Sequence, residues 1–392
     1  MTIKTTFLRV SWLLLFGVFF GVGSLTGETL PEATEKLEET SRFRSDDDGW
    51  LDISGFIDQA YGFVPLVIPI TEPAVGLGAV GALMFIDKQK EEGDAGFGRP
   101  NISTIGALGT DNGTSGVFAG DMRHWRDDHV KTLIGFVHAP VNLDFYGIGF
   151  DPLLQDDPQT YNLETTAGMA QVRYRIGESQ AWAGLGYVLA KSKVTFDVKP
   201  EVESLPNFQS ESWVGGLLPH LSFDSRDNMF TPTSGTYLDL SGGLFSEALG
   251  SDSDFQRVNL TGIYYQPLGY DLTLGIMGNS ILSFGEIPFY MRPFIYLRGV
   301  AAMRYQGDYM AQIEAELRWQ FWERFSLIGF TGAGVTWNDN RETRAEQNVS
   351  TGGVGFRYEI ARKYGMHMGL DLAYGPDGPA LYVQFGSAWM RP

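Results

Sequence analysis

From about Ala74 to the C-terminus, apolar and polar residues alternate with a period of two. The clearest run is Ala311 to Trp322. Ala311, Ile313, Ala315, Leu317, Trp319 and Phe321 share one face, while Gln312, Glu314, Glu316, Arg318 and Gln320 share the other. A strand sends successive side chains to opposite faces, so this run has one apolar and one charged face. The pattern recurs. Ala170, Val172, Tyr174 and Ile176 oppose Gln171, Arg173 and Arg175; Val354, Phe356, Tyr358 and Ile360 oppose Arg357 and Glu359. Met366, Met368, Leu370 and Leu372 oppose His367 and Asp371. Turn-rich stretches such as 224–235, 267–270 and 375–379 separate these runs.

Fifteen strands are legible, the first near 75–86 and the last near 379–389. A soluble sandwich yields a few strands of this kind but hardly so many without intervening helices. The pattern predicts an all-β fold, a transmembrane antiparallel β-barrel over 63–392 with the apolar face on lipid. Single-chain bacterial barrels have even strand numbers, which raises the expected count to sixteen. The missing strand lies either within 130–148, split at His138-Ala139-Pro140, or at Tyr61 to Ile70. The last run, Leu381, Val383, Phe385 and Trp389, ends three residues before the chain does.

Upstream the pattern changes. Lys4 and Arg9 precede an apolar run, so residues 1–26 read as a secretory signal peptide. The run is too short to span a bilayer comfortably at about 20 residues. Residues 27–49 read as an acidic flexible linker. Trp50, Ile53, Ile57 and Tyr61 fall at helical spacing and predict a short amphipathic helix over 50–62. It is compatible with a pore plug, a membrane-surface helix or a simple lead-in.

Composition narrows the function. The 392 residues carry 29 Lys+Arg and 47 Asp+Glu, a net charge of −18. Nucleic acid, which calls for a basic stripe, is not an expected partner. There is no cysteine, so disulfides and thiolate metal sites are excluded. Gly76-Leu77-Gly78-Ala79-Val80-Gly81 matches a dinucleotide fingerprint, but a strand follows it where that site needs a helix. Asp46-Asp47-Asp48-Gly49 lacks the spacing of a calcium loop. The five histidines show no metal-ligand spacing. His220 with Asp224, and His367 with Asp371, stand about 13 Å apart along a strand. No cofactor and no catalytic constellation is expected.

Two stretches carry a resemblance. The first is Phe223-Asp224-Ser225-Arg226-Asp227-Asn228 with Pro232 and Gly235. The second is Leu297-Arg298-Gly299-Val300, followed by the strand with Glu314, Glu316 and Arg318 and then by Gly332-Ala333-Gly334-Val335. Together they resemble the BamA/TamA family of outer-membrane assembly barrels, the bacterial surface antigen family. Such barrels carry a Val-Arg-Gly-Phe-type signature on an extracellular loop that folds into the lumen, with five strands after it. Five candidate strands follow Arg298 here. Ten precede it, where an extracellular loop requires an odd number. Val300 replaces the family's aromatic, and Gly332 stands where a second arginine-binding acid is expected. The resemblance thus implies that Arg298 anchors the loop through Glu316, with help from Glu314. In a wet lumen such a pair contributes only about 1 kcal/mol.

The resemblance implies an outer-membrane location, with membrane lipids and lipopolysaccharide, client barrel proteins or periplasmic factors as partners. Longer members carry periplasmic repeat domains before the barrel, for which 28–74 leaves no room. The implied activity is insertion or translocation of polypeptide or lipid at a weak seam between strands 75–86 and 379–389. Gly76, Gly78 and Gly81 would weaken one side, with Phe385 and Trp389 on the other. A passive channel or structural barrel is the competing expectation.

Overall fold

The computed structural model describes residues 43–45, 47–58, 62–87, 101–147, 154, 157–197, 209–338 and 346–390. The expected signal peptide and most of the expected linker lie outside these residues. The first eight strands are β1 (Gly62–Glu72), β2 (Gly76–Asp87), β3 (Asn101–Thr110), β4 (Ser115–Trp125), β5 (Val130–Phe145), β6 (Gln159–Arg175), β7 (Ala181–Phe196) and β8 (Gln209–Asp224). The second eight are β9 (Gly235–Phe245), β10 (Phe255–Gly269), β11 (Leu272–Gly285), β12 (Tyr309–Trp322), β13 (Phe325–Trp337), β14 (Gln347–Ala361), β15 (Met366–Gly375) and β16 (Gly378–Phe385). Each pairs antiparallel with its sequence neighbours in a single sheet ordered from β1 to β16. This is a nearly closed sixteen-stranded barrel.

The additional strand is β1, the Tyr61 to Ile70 window; 130–148 is one strand. Pro65 and Pro69 obscure β1 in the sequence, because proline cannot donate to a ladder and is tolerated mainly at sheet edges. Eleven strands now precede Arg298 and five follow it.

Alternation sorts lipid from lumen. On β12, Ile313, Leu317, Trp319 and Phe321 are exposed on the outer wall, while Gln312, Glu314, Glu316 and Arg318 are buried inside. Exposed Leu83, Ile105, Ile134, Leu185, Leu240 and Leu370 continue the apolar band around the sheet. No described helix is long and apolar enough to cross a membrane.

The lumen is filled by the connection between β11 and β12. Its Ile295, Leu297, Arg298 and Val300 are fully buried. Ile295, Leu297 and Val300 join an apolar cluster with wall residues Val137, Val188, Val214, Phe245 and Met310. Backbone meets backbone where this loop reaches the wall. Gly299 is in the left-handed region (φ +91°), and a Cβ on Gly375 would stand 2.0 Å from its carbonyl oxygen. Gly375→Ala is expected to displace the loop and lower stability by about 1–3 kcal/mol, read as an earlier thermal loss of the heat-modifiable band on gels; an unchanged midpoint argues against this contact.

Candidate functional site

The loop is held by Arg298. Its Nε donates to Glu314 Oε1 (3.1 Å) and its Nη1 to Asp371 Oδ2 (2.8 Å). Its Nη2 stands 2.9 Å from Glu314 Oε1 and 2.8 Å from Glu316 Oε2, as ion pairs without hydrogen-bond angles. The guanidinium lies 3.6 Å from the centre of the Phe330 ring. Burial disfavours its charge, but Glu314, Glu316 and Asp371 outweigh this and hold its pKa above the ordinary arginine value.

Two expectations change here. The network is dry: Arg298, Glu314 and Asp371 are 0 % exposed. Glu314 is a principal partner, and the further acid comes from β15, where Asp371 also binds Arg357 Nη2 at 2.8 Å. Gly332, at the position of the missing acid, lies under the loop instead. A Cβ there would come within 3.0 Å of Leu297 Cδ2. Spacing along one strand could not reveal Asp371, because β15 meets Arg298 only through the curvature of the barrel. Arg318 turns elsewhere and donates to the Pro232 carbonyl (2.9 Å).

The same network reaches the last strand. Gly299 N–H donates to Tyr382 Oη on β16 (2.8 Å), and Trp389 Nε1 donates to Glu314 Oε1 (2.7 Å). The sequence places Trp389 at the end of the final strand. It lies instead beyond β16, buried beside Tyr265. The strand stops because Gly386 turns left-handed (φ +71°) and Ser387 N–H is taken by the Phe230 carbonyl.

The motif around Asp224 to Gly235 forms the β8–β9 turn. Arg226 binds the Asp224 carboxylate through two contacts of 2.8 Å. Asp227 accepts from Thr233 N–H (2.9 Å) and Ser234 N–H (3.1 Å), closing the turn before Gly235 (φ +102°). Asn228 Nδ2 donates to the Tyr364 carbonyl (2.8 Å), and His367 N–H donates to Thr231 Oγ1 (3.2 Å). The turn thus reaches from the β8–β9 wall to the β14–β15 turn and the segment after β16, on the end of the barrel where β1 begins and β16 ends.

An N-terminal strap docks on that rim. Among the described residues its helix is the single turn Ser54–Asp58 (α1); 50–53 of the expected 50–62 are not helical, and 59–61 lie outside the described residues. Upstream, Asp52 N–H donates to Phe43 O within the strap and Ile53 N–H to Ile360 O on the rim, so neither donor serves a helix. Tyr61 lies outside the described residues. Trp50 packs edge-on against Trp322 and Phe325, and Ile53 and Ile57 pack against the cluster of Phe230, Ile360 and Tyr364. The fully buried Arg324 receives the strap: Nε donates to Asp48 (2.6 Å) and Nη1 to Asp52 (2.7 Å). The strap therefore lies at the rim rather than in the lumen.

The seam joins different strands from those expected. Gly76, Gly78 and Gly81 lie on β2, which is laddered to both β1 and β3. The unsealed junction lies between β1 and β16; among the described residues no ladder joins them. Hydrogen bonds show which backbone groups face it. Asp111 N–H donates to Leu77 O and Leu77 N–H donates to Asp111 Oδ1, so odd positions of β2 face β3. Even positions of β2 and their even partners on β1 then face each other. Phe63, Pro65, Val67, Pro69 and Thr71 are left to face the seam. On β16, Gly386 N–H donates to His367 O, so Pro379, Leu381, Val383 and Phe385 face the seam. Three of these nine positions are prolines without an N–H. Each missing donor removes about 1 kcal/mol of potential closure.

Arg298→Ala should leave Glu314 and Glu316 without their cation, while Asp371 keeps Arg357, and destabilise the loop by about 3–5 kcal/mol, measured as protease sensitivity within 286–308; full protection would show that the apolar packing suffices. The strap should respond to pH. Hydrogen bonding from Arg324 holds the Asp48 carboxyl below its ordinary 3.8. For Asp52, burial opposes ionisation, but hydrogen bonds from Ser54 and Arg324 prevail and its pKa is also lowered. Docking is then complete above the ordinary value and is lost as pH falls through the depressed ones. A nitroxide at Asp47→Cys should be immobilised at pH 7 and become mobile only once pH has fallen well below the ordinary value of 3.8, and it should be mobile at pH 7 in Arg324→Gln; a signal indifferent to both changes would remove the clasp.

Comparison with known proteins agrees with this geometry. An Omp85 superfamily domain matches residues 137–377, more than half of the chain. No curated protein matches it. BamA from Haemophilus ducreyi lacking POTRA domains 1-3 is structurally similar at 14% identity and a TM-score of 0.55, covering 88% of this chain and 79% of that one. CdiB from Acinetobacter baumannii is similar at 9% identity and a TM-score of 0.51, covering 84% and 66%. With its sixteen strands, its arginine-anchored lumen loop and its open β1–β16 junction, the chain belongs to the Omp85 superfamily of bacterial outer-membrane barrels.

Proposed function

We propose that this barrel acts in outer-membrane biogenesis, inserting or translocating lipid or polypeptide at the β1–β16 seam. One observation carries the reading: both seam edges are laddered on their inner sides and depleted of donors on their facing sides. Prolines at 65, 69 and 379 weaken closure without disturbing the β1–β2 and β15–β16 ladders. The loop lends further support. Its Gly299–Tyr382 contact ties the lumen network to β16, so a change in the loop is felt at the seam.

The edges suit some substrates better than others. A client strand added to β1 finds donors at Phe63, Val67 and Thr71 only. Strand capture relies on a continuous row of such groups. Lipid passage needs only an opening, so lipid fits this seam better than a nascent strand. Outer-membrane lipids and lipopolysaccharide are the partners this favours, with client barrels and periplasmic factors the wider class. No covalent chemistry is required. A passive channel fits less well, because the β11–β12 loop fills the lumen with buried apolar side chains.

The test is replacement in the native host. Pro65→Val with Pro69→Val restores two donors and should favour closure, so outer-membrane lipid composition is expected to shift as it does on gene deletion. If deletion leaves both lipid and protein composition unchanged, the biogenesis reading fails. A large, steady conductance from purified protein in planar bilayers would favour the channel.

A further inference from the structure

One part of the lumen is neither packed nor polar throughout. A cavity of about 500 Å³ lies between loop residues Met291 to Tyr296 and the inner wall of β5 to β11. That is the size of a small-molecule site. Its wall is largely apolar, with Met169, Val188, Val214, Leu218, Phe245 and Phe294 among the lining residues. The β11–β12 loop supplies the inner side, which distinguishes this space from a water-filled pore.

The charges facing the cavity are unequal. Asp239 is occupied by His220 Nε2 at 2.6 Å, and Arg292 is paired with Asp308. Arg173 donates to Gln171 Oε1 (2.8 Å). Arg257 differs from Arg292. Its Nε donates to Ser283 Oγ (3.2 Å) and its Nη2 to the Met291 carbonyl. Among the described residues, no carboxylate lies within ion-pair distance of it. Arg257 is partly buried, and a guanidinium partly withdrawn from bulk water favours an opposing charge. Neutral hydroxyl and carbonyl acceptors orient it without neutralising it.

We infer that this cavity is a binding site for an amphiphile with one acyl chain and an anionic head, the head on Arg257 and the chain along the apolar wall. A carboxylate and a phosphate monoester share the needed chemistry: an anionic oxygen pair matched to a guanidinium fork. The site is independent of the seam. It would stand if the biogenesis reading failed, and it would fall without affecting the seam.

Native mass spectrometry of the detergent-extracted protein tests this with four probes: oleate, oleoyl lysophosphatidate, oleyl alcohol and inorganic phosphate. One acidic amphiphile per barrel should be retained, oleate or the lysophosphatidate, and which one identifies the head. Oleyl alcohol and inorganic phosphate should be lost. Arg257→Gln should lower occupancy at least about tenfold, a difference of about 1.4 kcal/mol. Val214→Trp, which fills the cavity and leaves Arg257 in place, should do the same while the protein keeps its heat-modifiable mobility. Retention of oleyl alcohol equal to that of the acids would overturn the role of the charge. Undiminished acid binding in Val214→Trp would place the lipid on the outer wall and overturn the site. Retention of inorganic phosphate alone would overturn the acyl component.

Discussion

The tertiary structure turns on Arg298 and the carboxylates of Glu314, Glu316 and Asp371. A guanidinium with no solvent exposure inside a barrel is tolerable only if opposing charge meets it at close range. Three carboxylates from β12 and β15 do so, and Arg357 balances Asp371 from the other side. The consequence is positional. Once Arg298 is fixed, Leu297 must lie against Gly332 and Gly299 against Gly375, and the apolar residues of the loop close over the lumen. The lumen then has a largely packed interior, with a cavity left between the loop and the wall of β5 to β11.

The anchor also extends to the seam. Tyr382 on β16 and Trp389 beyond it both hydrogen-bond to the loop or its carboxylates. Strand β16 therefore has two attachments, the ladder to β15 and the lumen network. Strand β1 has the ladder to β2 and, through the chain, the strap clasped by Arg324. The two seam strands are thus braced from different sides, β16 from the lumen and β1 from the rim. Among the described residues no ladder joins them directly, and prolines occupy three of the facing positions.

At the rim, the β8–β9 turn and the N-terminal strap meet over Ile360 and Tyr364. Charged contacts there are short and partly exposed, in contrast to the buried Arg298 network. Asp48 is partly exposed and Asp52 buried, whereas Arg298, Glu314 and Asp371 are all without exposure.

Period-two alternation by itself determined the all-β class, the lipid-facing and lumen-facing residues of each strand and, with parity, the number sixteen. It does so because a strand in a bilayer has no other way to satisfy two solvents at once. The loop signature and its pairing with Glu316 were legible only through the family resemblance, carried by residues close in sequence. Only the tertiary structure decided that β1 begins at Gly62, that the seam glycines belong to β2 and that Trp389 turns inward. Proline hides an edge strand from a pattern built on paired ones. Asp371 reaches Arg298 from 73 residues away, and closure of the sheet, not local periodicity, sets which distant strands share an interior.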